Sequence, residues 1–547
     1  MPPAGLSAPQ APPHPAPARA HTWPRQAGTA ALPRRAIDEP EGAEPEPSEP
    51  ARRASAAPAV LCLLGILVLQ AALSLRFVWS NTAFVDEGLY LWSGHLEIAH
   101  WLHGTRIPAF PTYFSGAPVV YPPLAALADS GGGLAGARFL SMGFMLGATA
   151  LLWGTASRLY GRRAAFFAAA LFAVLGPTLH LSAYATYDAM SLFLTALAAW
   201  CVTDSPRRKN LAGWIFAGAA ALALANAAKY ATGIFDPVVA ALAILAGYPR
   251  FGRTVAPWLG AFLVAASGLF IVVLLHLGGP LYFHGISKTT TMRATSTSPV
   301  SLVIRESWHW TALVAVLAVA GVFLTLVSRQ RWSRVLLACL LALSVLLVPA
   351  EQARIHTTIS LEKHVDFGAW FAAIAAGYTI SQLVKWLRPR AVRIVASVAC
   401  ATGIAPLAGV GASQARVLTN WPDSTRLISV LRPLTAHGGR FLAEDVSIPE
   451  YYLPETSWTQ WSSTFSITLP SGRGQGDAGN VAAYASAIRR HYFSLVVLDF
   501  AATPALDKRL AQDLNANGHY KIVASVQSSS RAGGRYTIWQ YTPGRGR

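Results

Sequence analysis

Phe84-Val85-Asp86-Glu87-Gly88-Leu89-Tyr90 sets two adjacent carboxylates directly after the first long apolar run, about Ala57 to Trp79. That run is long enough to cross about 30 Å of hydrocarbon as a helix. No small-residue cleavage site follows it cleanly, so it reads as a retained membrane helix rather than a signal peptide. Ionisable groups at a membrane boundary are costly and by default mark function. Residues 80–133 after the run are rich in Trp, His and Pro and read as one long loop. From there to about Ala412, apolar runs alternate with short polar turns.

Composition agrees with that reading. The chain has 547 residues, of which 53% are hydrophobic and only 13% charged, with a mean hydropathy of +0.38. Soluble domains are nearer a quarter charged, so the class is a polytopic α-helical membrane protein. The net charge of +18 needs no nucleic acid, because Lys and Arg collect in the cytoplasmic loops of membrane proteins. Cys62, Cys201, Cys339 and Cys400 are scattered in apolar runs without CxxC spacing, so they read as buried thiols rather than a disulfide or zinc framework. Residues 1–56 are rich in Pro and Ala, lack a core-forming period, and read as a disordered tail.

Further spans fall at about 134–157, 164–182, 186–203, 211–230, 233–248, 255–277, 309–328, 334–350, 366–385 and 391–412, which with the first makes about eleven transmembrane helices. With the N-terminal tail in the cytoplasm, every inner loop is short and basic: Ser157 to Arg163, Asp204 to Lys209, Pro249 to Arg253, Arg329 to Arg334 and Lys385 to Arg390. Such a bias sets topology. It places the Asp86-Glu87 loop and the C-terminus outside the cell membrane. Asp188, Lys229, Asp236, Arg305, Glu306, Glu351, Arg354, Glu362, Lys363, His364 and Asp366 map to outer ends of spans or outer loops, which argues for one site on that face. His284, His356 and His364 are read as outer-loop histidines.

The membrane domain is expected over 57–412 and a different kind of domain over 413–547, where polar residues return. Gly439 to Ala443, Leu495 to Phe500, Tyr520 to Val526 and Arg535 to Tyr541 alternate like strands, while Asn480 to His491 and Thr503 to Asn517 read as helices. This predicts an extracytoplasmic α/β domain of ordinary size. A short candidate strand, Phe465 to Leu469, precedes a glycine-rich loop, Gly472 to Gly479, which lacks a GK[ST] ending and reads as a surface loop.

On the residues alone, Asp86 and Glu87 have two readings. One carboxylate can take a proton from an acceptor hydroxyl held beside it, or the pair is a solvated cap before the amphipathic segment Leu89, Leu91, Trp92, Leu96 and Ile98. An acidic pair just after the first span resembles the GT-C glycosyltransferases of the protein O-mannosyltransferase and aminoarabinose-transferase type (family 39-like). Tyr121-Pro122-Pro123-Leu124 resembles their late-loop Pro-Pro-Leu element. Gly136-Ala137-Arg138-Phe139-Leu140-Ser141 resembles the start of their second span, and Tyr160-Gly161-Arg162-Arg163-Ala164-Ala165 the inner turn after it. Tyr187-Asp188-Ala189 resembles the Asp-Ala that opens their fourth span. The matches run in order over roughly residues 57 to 230.

The resemblance implies a polyprenyl-phosphate sugar as donor and sugar transfer, with inversion, on the extracytoplasmic side to a glycan, lipid or protein acceptor. Asp86 would be the base, with Glu87 a second acid or a structural cap. Donor phosphate or substrate contacts would come from Arg138, Asp188, Lys229, Arg354, Lys363 and His364, with Lys288 and Arg293 as further cations. For Arg138 a snorkelling role at the interface stands beside phosphate contact, and for Asp188 a helix cap stands beside substrate contact. Tyr121 stands where the family often has a basic residue before Pro-Pro. No cofactor is firmly predicted. Glu351, His356 and Glu362 could gather a divalent cation, but no HxxxH or HExxH spacing backs a metal site. The rival readings are a lipid or solute transporter or flippase, against which the chain shows no internal repeat, and a non-catalytic membrane scaffold.

Overall fold

The computed structural model describes residues 49–293, 295–387, 402–464, 477–527 and 534–543, with positions 392, 394, 395, 398 and 399. Most of the 1–56 tail, Cys400, the first part of the 391–412 span, the Phe465 to Leu469 strand and most of the Gly472 to Gly479 loop lie outside the described residues.

The helices of the apolar part are α1 (Glu49–Val78), α2 (Val85–His103), α3 (Tyr121–Tyr160), α4 (Arg162–Ala173), α5 (Gly176–Leu181), α6 (Tyr187–Asp204) and α7 (Leu211–Ala228). They continue with α8 (Asp236–Gly278), α9 (Pro280–Thr289), α10 (Val300–Val327), α11 (Trp332–Leu343), α12 (Leu347–Arg354) and α13 (Leu361–Trp386). Among the described residues, seven helices are long and apolar enough to cross a membrane. Two of these hide a reversal. In α3 the helical geometry breaks at Gly132 and Gly133, the latter at φ 60°. A Cβ on Gly136 would sit 2.2 Å from the Ala128 carbonyl oxygen, so the two arms fold back on each other. In α8 the break is Gly252, at φ 69°, and Gly260 packs against Ala240 and Ile244 across the hairpin. Only glycine takes such positive φ values without steric cost. The second break falls in the basic segment Pro249 to Arg253, between the two expected spans 233–248 and 255–277.

The centre of the apolar part is α13, whose most apolar stretch is 83% buried within the protein. Trp370, Phe371 and Ala372 to Ala376 are inaccessible there. The small residues let α4 and α10 pack closely on either side. This helix begins five residues before the expected 366, after Ser360 in a left-handed conformation. Lys363 and His364 are therefore in its first turn rather than in a loop. The 80–133 segment also departs from a simple loop, because α2 and the first arm of α3 occupy much of it.

After α14 (Ile404–Leu418) comes a five-stranded sheet in the order β2-β1-β3-β5-β4. Its strands are β1 (Phe441–Ala443), β2 (Trp461–Ser463), β3 (Leu495–Leu498), β4 (Tyr520–Gln527) and β5 (Arg535–Tyr541). β1 runs parallel to β2 and β3, and β5 antiparallel to β3 and β4. Side chains alternate across the sheet. Phe441, Leu495, Val497 and Ile538 meet Leu427 and Leu431 of α15 (Thr425–Thr435). Leu442, Val496, Leu498 and Trp539 meet the other layer, including Leu506 and Leu510. α16 (Ser447–Tyr452) lies against α2. The Ala83 N–H donates to Tyr452 Oη at 2.8 Å, Tyr451 Oη donates to Asp129 at 2.7 Å, and Trp421 Nε1 donates to the Thr82 carbonyl at 3.0 Å. The sheet domain is thereby tied down beside the acidic pair.

Candidate active site

Asp86 and Glu87 sit in the first turn of α2, where unpaired backbone N–H groups favour negative charge. From one turn they point to different surroundings. Glu87 is inaccessible. Its Oε1 accepts from Arg138 Nε at 2.8 Å and the Ala185 N–H at 2.8 Å. Its Oε2 accepts from Arg138 Nη2 at 2.7 Å and the Phe84 N–H at 3.0 Å. Arg138 is 1% exposed. Its remaining N–H groups go to the carbonyls of Val78 (2.8 Å), Asn81 (3.0 Å) and Thr82 (3.1 Å). All five guanidinium donors are thus used inside the protein. The expectation that Arg138 contacts donor phosphate is corrected on this geometry, since no donor remains for a ligand. The clamp joins the end of α1, the link to α2, the second arm of α3 and the segment before α6.

Asp86 keeps 29% of its side chain exposed and faces Lys363, whose Nζ lies 2.6 Å from Oδ2. Lys363 is 5% exposed and lies 5.2 Å from the centre of the Tyr184 ring. Burial first, then the Asp86 charge, pushes the Tyr184 phenol well above its usual range, so it remains a neutral donor. The next residue along α13, His364, turns to a second group. Lys229 Nζ is 2.9 Å from His364 Nε2 and 2.7 Å from Asp188 Oδ1. The other ring nitrogen, Nδ1, lies 2.9 Å from Gln352 Nε2, which also donates to the Ile359 carbonyl at 3.3 Å. Asp188 Oδ2 is buried and has no partner among the described residues.

Lys229 and His364 line a cavity of about 420 Å³ with Arg293, Arg354 and Gln352. Phe235, Ile286, Val348 and Phe367 supply apolar wall. Arg354 stands at an exposed position, held by Glu351 through contacts of 2.6 and 2.8 Å. His356 is drawn instead to the Ser298 carbonyl at 3.3 Å. A second cavity, about 230 Å³, lies between Ala83 to Val85 at the start of α2 and the sheet domain. Trp421, Glu444, Asp445, Asp499 and Tyr536 line it, and Glu444, Asp445 and Asp499 follow directly after β1 and β3. Burial, then the hydrogen bond it donates to Glu444, pushes Asp499 up to about 8. Glu444 goes the other way. Burial opposes its charge, but the bond with Asp499 and the loop N–H groups bring it to about 2.

The structure brings Asp86 and Lys363 into one pair and Asp188, Lys229 and His364 into a second group, linked through the adjacent α13 residues Lys363 and His364. Arg354 stands at the edge of the cavity beside the second group, and Glu87 and Arg138 lie behind Asp86. Sequence reading missed Gln352 and Tyr184, a polar residue closing an apolar run and an aromatic in a turn, which carry no pattern. It also missed the carboxylates at the strand ends of the sheet domain. Their signal was available, because ligands gather at the carboxyl ends of parallel strands.

The family profile for dolichyl-phosphate-mannose-protein mannosyltransferase matches residues 124–276. No curated sequence relative matches the chain. Among solved structures, ArnT from Cupriavidus metallidurans bound to undecaprenyl phosphate superposes with a TM-score of 0.55 at 15% identity, over 89% of this chain and 98% of that one. The Archaeoglobus fulgidus oligosaccharyltransferase in its apo form gives 0.55 at 11% identity, over 89% and 75%. The Archaeoglobus fulgidus enzyme AglB with an inhibitory peptide and a dolichol-phosphate gives 0.53 at 11% identity, over 89% and 74%. The GT-C resemblance read from the motifs is borne out in the fold.

Proposed function

We propose that the chain is an integral membrane glycosyltransferase that moves a sugar from a polyprenyl-phosphate donor to an acceptor on the outer side of the membrane. The observation that carries this reading is the pair Lys363-His364 on α13. One residue holds Asp86, and the next holds the Lys229 edge of an apolar-walled, cation-lined cavity. The donor phosphate lies against Lys229, Arg293 and Arg354, with its prenyl chain along the apolar wall. Solved structures of similar fold carry undecaprenyl phosphate or dolichol-phosphate, which is the chemistry this cavity suits.

The acceptor enters from the cavity between the start of α2 and the sheet domain. Asp86 takes the proton of its hydroxyl, and the freed oxygen forms a bond to the anomeric carbon. The bond from that carbon to the phosphate oxygen breaks, and its electrons leave with the polyprenyl phosphate. The leaving group is already an anion, so the protein supplies one base and fixed positive charge where negative charge collects. Lys363 orients Asp86. Glu87 and Arg138 act as a clamp that holds α2 in place. The donor sugar is a hexose or pentose, the N-terminus is cytoplasmic, and the sheet domain is extracytoplasmic. The direct test is binding of polyprenyl phosphate to the purified full chain. Lys229→Met removes a charge-assisted contact and weakens binding about tenfold or more. Unchanged binding contradicts the placement of the donor.

A further inference from the structure

The opposite end of the helix bundle carries a second cation-lined cavity that the transfer reaction does not use. Arg158 lies some 30 Å along the second arm of α3 from Arg138, at about 1.5 Å per residue. With Arg207, Arg250 and Arg334 it lines a cavity of about 380 Å³ among the ends of α3, α6 and α11 and the hairpin bend of α8. Asp204, the one carboxylate nearby among the described residues, is inaccessible and is shared by Arg158, at 2.7 Å, and Arg208. Arg207 and Arg250 donate to the backbone carbonyls of Arg158 and Pro206, and Arg250 also lies 5.4 Å from the centre of the Phe251 ring. Among the described residues, Arg207, Arg250 and Arg334 have no carboxylate partner. Tyr160 also lines the cavity, and its hydroxyl is buried with no hydrogen-bond partner among the described residues.

A charge bias that only set topology would leave these arginines pointing into separate stretches of water. Here four helix ends aim them at one concavity that Tyr160 also lines. Guanidinium forks match phosphate oxygens in pairs. The surroundings say where the phosphate comes from. Trp332 is 77% exposed, Leu336 54% and Tyr248 40% on the adjoining helices. Exposed Trp and Tyr beside an apolar surface are the side chains of a membrane interface, so the cavity opens beside lipid rather than into free solution.

We propose that this cavity binds the headgroup phosphodiester of an anionic phospholipid in the leaflet opposite the active site. Its arginines hold the phosphate, and the neighbouring apolar helix surfaces pack the acyl chains. Basic pockets between membrane helices recognise anionic headgroups in this way.

The test uses the delipidated full chain in neutral detergent, titrated separately with phosphatidylglycerol, phosphatidylcholine and inorganic phosphate and read by native mass spectrometry and thermal unfolding. Phosphatidylglycerol is expected to bind saturably and raise the unfolding temperature, with phosphatidylcholine and inorganic phosphate binding at least about tenfold more weakly. Arg250→Gln with Arg334→Gln should weaken phosphatidylglycerol binding by more than tenfold, taking about tenfold per lost charged contact. Tyr160→Phe, which keeps the ring packed against Tyr378, should weaken it about threefold. Equal affinity for phosphatidylcholine overturns the proposal, as does inorganic phosphate binding as tightly as the lipid. Unchanged lipid binding in a folded double variant also overturns it. The wild-type titrations decide the matter if that variant fails to fold.

Discussion

Asp86 and Glu87 share one helical turn and the same charge, yet they meet opposite environments. Glu87 is sealed behind α2 with four hydrogen bonds and a fully occupied arginine. Asp86 has one ammonium and an open side. A carboxylate with every lone pair engaged cannot take a proton without dismantling its surroundings, whereas one held from a single side can. The difference teaches that adjacency in sequence says little about role. What separates the two residues is how many fixed donors the fold aims at each.

The largest expected effect breaks the sealed half. Glu87→Ala leaves the Arg138 guanidinium buried and unpaired, and losing one partner of such a pair costs about 3–5 kcal/mol. Folded protein should drop sharply in a detergent thermal-stability assay, and an unchanged unfolding temperature would break the comparison. A smaller effect sharpens the open half. Gln352→Ala removes the amide that contacts His364 Nδ1 and frees the imidazole to turn. Polyprenyl phosphate binding should weaken roughly tenfold, about one charged hydrogen bond, with folding intact. Equal affinity would show that His364 is held by other means.

The smallest effect concerns Glu444, which resembles Glu87 in being charged and ringed by N–H groups. Its neighbour Asp499 has a folded-state pKa raised to about 8, against about 3.9 unfolded. A raised value means that the folded state holds the proton more tightly. That stability is fully present below about pH 4 and is lost as pH rises through about 8. Asp499→Asn should therefore unfold at nearly the same temperature as wild type near pH 4 and at a higher one near pH 8.5. Identical curves at both pH values would mean that Asp499 and Glu444 do not share a proton.

Much of the fold was legible because hydropathy and charge bias act over long windows. Most of the apolar runs lie in helices of the described residues, a glycine break sits in the basic segment Pro249 to Arg253, and four strands of the sheet domain fall close to where their alternation put them. β2 was missed because a three-residue strand leaves almost no period. The early start of α13 was missed because Glu362, Lys363, His364 and Asp366 look like a loop until their buried partners are known. At the site, residue types were legible and pairings were not. Arg138 looked like a phosphate ligand because a lone arginine near an outer face carries no sign of the five acceptors folded around it.

The central claim is that Asp86 is the base while its neighbour only holds the helix. Transfer from a labelled polyprenyl-phosphate sugar should be measured for Asp86→Asn beside wild type, together with thermal stability and polyprenyl phosphate binding. The account predicts that transfer falls by about 10²- to 10⁴-fold, the range for loss of a general base. Stability and donor binding should stay close to wild type. Full transfer by a folded Asp86→Asn protein would contradict it.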